Sequence, residues 1–152
     1  MNYWLMKSEP DVFSWDDLER KRRASWDGVR NFQARNFMRD QFRLGDCVLF
    51  YHSSCAEPGI IGIAKVVREA YPDPTALDPK SDYYDPASAK AGASRWFMVD
   101  IEPVQRFKRL ASLAEIRGNS GLQTMLLLRK GQRLSIQPVT EKEFKTIKKT
   151  WG

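Results

Sequence analysis

Apolar and polar positions along this chain change period repeatedly, and each change marks where a strand gives way to a helix. Asn2 to Lys7 carries Tyr3, Trp4, Leu5 and Met6 as one apolar run and reads as a strand. Ser8-Glu9-Pro10 closes it, because Pro10 brings no ladder donor and pushes Glu9 into an extended conformation. Ser14 is placed as an N-cap, with Asp16 and Asp17 in the first turn and Trp15 and Leu18 behind them, so a short helix to about Arg22 is predicted. After the turn signal Asp27-Gly28, Asn31 can cap a second helix over Phe32 to Phe42. Its Phe32, Phe37, Met38 and Phe42 fall on overlapping faces, and Gly45 stops it.

Asp46 to His52 and Gly59 to Glu69 are apolar and β-branched, joined by the hairpin-type loop Ser53-Ser54-Cys55-Ala56-Glu57-Pro58. Tyr71 to Ala93, with four prolines and the paired Tyr83 and Tyr84, loses all periodicity and reads as one long loop of the kind that tends to carry function. Arg95 to Arg109 alternates, with Trp96, Met98, Asp100 and Glu102 on one side and Phe97, Val99 and Ile101 on the other; Pro103 marks an edge or a bulge. Short helices are expected at Ser112 to Ile116 and Leu122 to Leu128, then a strand at Arg133 to Val139. The capping box Thr140-Glu141-Lys142-Glu143 opens a last helix that aligns Phe144, Ile147 and Trp151. Strands at both ends and in the middle, linked by short helices, give an α+β fold on a small, largely antiparallel sheet, read as a single domain over residues 1–152.

Composition narrows the function classes. At 42% hydrophobic and 12% aromatic, 152 residues can bury a core, which excludes global disorder. No apolar run approaches the roughly 18 residues of a membrane helix, and the first residues lack a secretory pattern. A soluble, cytoplasmic protein with no membrane partner is expected, with Cys47 and Cys55 as free thiols. His52 is the one histidine, and no CxxC or HExxH occurs, so no metal site is expected. Without a phosphate-binding glycine loop or a correctly spaced dinucleotide fingerprint, no nucleotide or other cofactor is expected.

The formal net charge of +6 is unevenly spread. Residues 1–18 hold Lys7 against four carboxylates, a net of −3, whereas residues 19–43 hold eight cations against three carboxylates, a net of +5. Seven of those eight cations are arginines, interleaved with Trp26, Phe32, Phe37 and Phe42. A guanidinium grips phosphate in two places and stacks on a base, so the segment reads as facing a polyanion; a solvated helix face would give the same count.

Polar side chains concentrate at strand ends in four stretches: Lys7-Ser8-Glu9-Pro10, Trp26 to Asn31, Tyr51-His52-Ser53-Ser54 and Arg133 to Pro138. Strand ends on one rim of a small curved sheet converge and can line one pocket. There Trp26 offers a stacking surface, while Ser8, Asn31, Ser53 and Ser135 offer hydrogen bonds to a base edge. Asn31 is equally suited to cap the helix it precedes. Trp4, Trp15 and Trp151 lack polar company and read as core. His52 reads as a hydrogen-bonding group, with acid–base chemistry beside Glu9 or Asp85 as the alternative. Asp46 reads as fixing a turn, and Glu9 as capping a helix or holding Arg30.

The runs Tyr3 to Pro10, Trp26-Asp27-Gly28-Val29-Arg30-Asn31-Phe32-Gln33-Ala34-Arg35-Asn36, Gly45 to Ser53, Tyr71-Pro72-Asp73, Tyr83-Tyr84-Asp85-Pro86 and Arg133 to Val139 together resemble the EVE domain family, in order and over essentially the whole chain. The resemblance implies a PUA-like fold, a curved antiparallel β-barrel flanked by short helices and related to the YTH readers of methylated adenine. It also implies binding of modified nucleobases, with 5-methylcytosine and its oxidised forms in DNA the usual suggestion, and it carries no established catalysis.

The expectation is therefore a non-catalytic reader, not an enzyme, that takes a flipped or unpaired modified base into an aromatic pocket, in DNA rather than RNA. Lys7, Ser8, Trp26, Val29, Asn31 and Tyr51 are expected to line it with His52, Ser53, Ser135 and Gln137, and Trp96 is expected as a second aromatic wall. Arg30 and Arg35 are the leading phosphate contacts, with Arg20, Arg22 and Arg23 outside them. Three alternatives stay open: an RNA-binding module for modified or structured RNA, a small nucleic-acid-processing enzyme using His52, and an adaptor for an acidic protein. A reader of this kind is expected as a monomer, nucleoid-associated in a bacterium or nuclear in a eukaryote.

Overall fold

The computed structural model describes residues 1–152 and places β1 at Tyr3–Ser8, α1 at Trp15–Lys21, β2 at Ala24–Ser25, α2 at Phe32–Asp40, β3 at Cys47–His52 and β4 at Gly59–Pro72. After these come α3 (Pro86–Ala91), β5 (Phe97–Ser112), α4 (Leu113–Arg117), β6 (Ile136–Val139) and α5 (Glu141–Trp151). The strands form one sheet in the order β2-β5-β4-β3-β1-β6, whose outer strands do not pair with each other. All neighbours are antiparallel except β1 and β3, which run parallel with Leu5 beside Leu49 and Ser8 beside His52. The result is a mixed α+β fold on a curled sheet, not a closed barrel.

The apolar run in β1 is explained by burial on both faces. Trp4 and Met6 join Trp15, Leu18, Val48 and Phe50 under α1 and α2, while Leu5 joins Leu49, Ile60 and Ile63 under α4 and α5. Trp4, Trp15 and Trp151 are all core residues. Asp46 does more than fix a turn. Its buried carboxylate accepts from the Trp4 indole at 3.0 Å and from the backbone N–H groups of Asn2 and Arg43 at 3.0 and 2.9 Å.

Several boundaries differ from expectation. Helix α2 ends at Asp40 rather than Phe42, because the Phe42 N–H bonds back to Phe37 and turns the Phe42 ring onto Trp4 at 4.4 Å. The stretch 71–93 is not one long loop: β4 runs through Pro72, a 3₁₀ turn covers Pro74–Leu77, and α3 follows. Both short helices begin with an Asp-Pro pair, Asp73-Pro74 and Asp85-Pro86, in which the aspartate caps and the proline takes the first helical position. Leu122 to Leu128 forms no helix but two 3₁₀ turns, Ser120–Leu122 and Leu126–Leu128, and the last strand is shorter than Arg133 to Val139. Pro103 sits where the β4–β5 register slips between Ile63 and Ala64, beyond the end of β2, so no neighbour needs its missing N–H. Cys47 and Cys55 are both free, and no helix is long and apolar enough to cross a membrane.

Candidate functional site

Where β1 ends, a cleft of about 710 Å³ opens, within the roughly 300–1,000 Å³ of ordinary ligand sites. Three parts of the sequence line it: Lys7 to Glu9 with Val12 and Phe13; Lys21 and the segment from Arg23 to Arg30; and the isolated Tyr83 and Ser135. The Lys7 N–H donates to the Ser135 carbonyl at 2.8 Å and the Ser53 N–H to the Ser8 carbonyl at 2.9 Å, which ties β1 to its neighbours at this rim.

Trp26 lies in the cleft lining and is 9% exposed, its ring edge-to-face with Phe13 and Phe50 at 6.1 and 5.6 Å. The indoles of Trp4, Trp96 and Trp151 donate to Asp46, Asp85 and Glu115. That of Trp15 is buried without a partner, whereas that of Trp26 has no acceptor in the protein and is not sealed from solvent. Gly28 follows at φ +80°, and a Cβ there would lie 2.6 Å from Tyr83 Cζ, so the glycine lets the Tyr83 ring settle on the backbone. Tyr83 keeps 37% of its surface exposed and is the more open aromatic of the two.

A buried carboxylate holds this loop in shape. Asp73 Oδ2 accepts from the Gly28 N–H at 2.9 Å and from Arg30 at 3.1 Å, while Oδ1 accepts from the Thr75 N–H and hydroxyl at 2.8 and 2.6 Å. Burial opposes the charge on Asp73, yet the bonds from Thr75, Gly28 and Arg30 outweigh it and keep the pKa below the usual carboxylate value. Arg30 also donates to the Tyr83 carbonyl at 2.7 Å. Glu9 does not hold Arg30; Asp73 does, because it lies beneath the loop while Glu9 is exposed.

Lys7, Lys21, Arg23 and Arg30 line the cleft against Glu9 and Asp27, an excess of cations. Arg23 is paired with Asp100 at 3.0 Å. Burial pushes the Lys7 ammonium below its ordinary pKa, and burial together with Asp73 raises that of Asp27. The chemistry on offer is stacking, hydrogen bonding and attraction of an anion. No group of three or more His, Cys, Asp or Glu is placed to hold a metal ion.

Of the expected pocket residues, the fold brings Lys7, Ser8, Trp26, Val29 and Ser135 into the lining, with Arg23 and Arg30 from the expected phosphate contacts. The Ser8 hydroxyl donates inward to the Phe13 carbonyl at 2.5 Å. The other expected residues lie outside the lining, each for a local reason. Asn31 caps α2, its Oδ1 accepting from the Ala34 N–H at 3.0 Å. Tyr51 points to the opposite face of the sheet and is core. His52 Nε2 accepts from the Trp15 N–H at 3.1 Å, and burial lowers its pKa. Ser53 lies past the end of β3, next to the Ser8 carbonyl. Trp96 is buried, donating to Asp85 at 2.8 Å, and Gln137 is buried with its amide on the Leu134 carbonyl at 3.0 Å.

Among the outer cations, Arg20 pairs with Asp17 and Arg22 is the left-handed cap of α1 at φ 64°. Arg35 donates to Asn36 and to the Arg95 carbonyl at 3.0 Å. Tyr83 and Asp73, neither at a strand end that the sequence marks for the pocket, complete the site. Tyr83 was signalled by the tyrosine pair in a polar stretch, whereas nothing local marks Asp73 as the partner of Arg30.

The model of the EVE domain matches residues 2–150. Thymocyte nuclear protein 1 of Homo sapiens is 44% identical over an alignment of 162 positions that covers 94% of this chain and 71% of that protein. A crystal structure of a protein from Pseudomonas syringae is 52% identical, with a TM-score of 0.90 and 97% of each chain covered. The crystal structure of human THYN1 in complex with 5-methylcytosine-containing DNA superposes with a TM-score of 0.89 at 44% identity, covering 97% of this chain and 95% of that one.

Proposed function

This chain belongs to the EVE domain family, and from that membership and the cleft we propose a non-catalytic reader of DNA carrying a modified base of the 5-methylcytosine type. The observation that carries the reading is a cation-rich cleft lined by the loop Trp26 to Arg30 and by the open ring of Tyr83, with no protein acceptor on the Trp26 indole N–H. An extruded or unpaired pyrimidine entering there stacks on Tyr83. Its O2 carbonyl oxygen accepts from the Trp26 indole, and its exocyclic amino group donates to the Asp27 carboxylate. Extrusion costs a few kcal/mol, and one stacked base returns about 1–3 kcal/mol, so both polar contacts are needed to hold the base. Burying the methyl group adds about 0.8 kcal/mol, roughly fourfold in affinity.

Two observations favour a reader over an enzyme. His52 Nε2 is occupied by the Trp15 N–H, and Asp85 is occupied by Arg95, Ser88 and Trp96, so neither is poised to exchange a proton with a substrate. The DNA-bound state of human THYN1 favours DNA over RNA.

Fluorescence titration with methylated and unmodified DNA, and with matched RNA, tests the proposal. Saturable, salt-sensitive binding that prefers the methylated DNA is expected. Trp26→Phe keeps the packing and removes the N–H, so it weakens binding by roughly 2- to 12-fold, the worth of one hydrogen bond. Absence of saturable binding, or a Trp26→Phe variant that binds as tightly as wild type, would refute it.

A further inference from the structure

Phe32, the first residue of α2, is 49% exposed although its ring stacks on buried Trp96 at 4.7 Å and 24°. Two guanidinium groups flank it: those of Arg35 and Arg95 lie 4.7 and 5.3 Å from the ring centroid. Both are held from behind, Arg35 by the Asn36 side chain and the Arg95 carbonyl, Arg95 by Asp85. Of the five donors on each guanidinium, Arg35 commits three and Arg95 two, so the remainder are free for an incoming acceptor. Burial first, then repulsion from Arg39 and Arg95, depresses the pKa of Arg35, which fits a patch where cations outnumber their partners.

This patch is continuous with the cleft. Arg30 lies 5.7 Å from the Tyr83 ring centroid in the cleft and 5.4 Å from that of Trp96, on which Phe32 stacks. Tyr83, Arg30, Trp96 and Phe32 thus form a stair of planar groups leading out of the cleft onto the surface. An exposed ring between guanidinium groups is the combination that binds single-stranded nucleic acid, the ring taking a base and the cations its phosphates. An acidic peptide would use the cations and leave the ring wet.

We propose that Phe32, flanked by Arg35 and Arg95, is a second nucleic-acid contact, where the ring stacks on a base neighbouring the one in the cleft and the guanidinium groups hold the intervening phosphate. The inference rests on the base-reading proposal for the identity of the strand, but it concerns different residues and a different part of the ligand.

The test compares wild type, Phe32→Ala, Phe32→Tyr and Arg35→Gln by fluorescence anisotropy against a short single-stranded DNA with a central 5-methylcytosine, the same strand unmodified, and the free nucleoside 5-methyl-2′-deoxycytidine. Phe32→Ala should weaken both oligonucleotides by the same factor, about 5- to 150-fold for a lost stack, and leave the nucleoside unaffected. Phe32→Tyr keeps the ring and should bind as wild type, which separates a lost contact from lost folding. Arg35→Gln should weaken the oligonucleotides and flatten their salt dependence. Should wild type show no preference for the methylated strand while Phe32→Ala still weakens both, the cleft proposal fails and this one stands. Phe32→Ala binding oligonucleotides as tightly as wild type, or wild type binding neither strand, overturns it.

Discussion

Replacing Asp73 with asparagine should unlatch the cleft while leaving the fold standing. Four donors converge on the carboxylate: the Gly28 N–H, Arg30, and the N–H and hydroxyl of Thr75. Asparagine presents one acceptor oxygen and a donor group in place of the second. Turned with its oxygen toward Gly28 and Arg30, it sets its amide against the Thr75 N–H; turned the other way, it confronts a guanidinium. Stripping a buried ion pair of one partner costs about 3–5 kcal/mol. Arg30 keeps 23% side-chain exposure beside a fully buried Asp73, and asparagine retains part of the set, so the lower end, about 3 kcal/mol, is expected. That leaves a folded protein out of a typical 5–15 kcal/mol. It lowers Tm by about 6–12 °C for a chain of this size.

Urea and thermal unfolding followed by tryptophan fluorescence measure the cost, and a double-mutant cycle with Arg30→Gln measures the pair, with a coupling of about 1–3 kcal/mol expected. The pH dependence provides a second check. Because the Asp73 pKa is depressed in the folded state, its contribution is complete above the unfolded value, about 3.9, and is lost as pH falls through the folded value. Wild type should therefore lose more stability than Asp73→Asn below about pH 4. A variant within about 0.5 kcal/mol of wild type, the level of an ordinary surface change, with no coupling to Arg30, would refute the reasoning.

Gly28→Ala meets two obstacles, a φ of +80° and the Tyr83 ring 2.6 Å from the added Cβ, so a loss of about 1–2 kcal/mol from the backbone alone is expected, plus a steric part. Thermal unfolding in a Tyr83→Ala background should recover the steric part, and equal losses in both backgrounds would rule out the Tyr83 contact. His52 accepts from the Trp15 N–H, and burial lowers its pKa, so stability is complete above about pH 6.5 and declines as pH drops from there to the folded pKa. His52→Gln should flatten that decline in urea midpoints, and an NMR titration placing the imidazole at or above its ordinary pKa would contradict it.

Much of the fold was legible because local chemistry specified it. Ser14 caps α1, Thr140 forms the capping box its spacing announces, Asn31 caps α2, and the apolar runs of β1, β3 and β4 are strands. Tertiary context decided what was missed. The parallel pairing of β1 with β3 depends on where a crossover lands, and Asp-Pro pairs signal loops and helix starts alike. For the site, Trp26, Val29 and Ser135 were legible because they sit next to strand ends or turn residues. Tyr51 and Gln137 lie outside the lining because alternation along a strand does not say which face meets the cleft, and His52 because its ring nitrogen takes the Trp15 N–H, a partner 37 residues away in sequence.

The position of β1 between β3 and β6 also sets an order of events in time. Tyr3 pairs with Cys47 on one side and with Val139 on the other, and only the second pairing brings Ser135 to the Lys7 N–H. Contacts across so much intervening chain close slowly. The β3–β4 hairpin, which pairs His52 with Gly59 and Cys47 with Lys65, is far more local and can form before either end of the chain has docked. During refolding, tryptophan burial should therefore run ahead of the ability to hold a base, and the cleft becomes competent only when the two ends of the chain have met across β1.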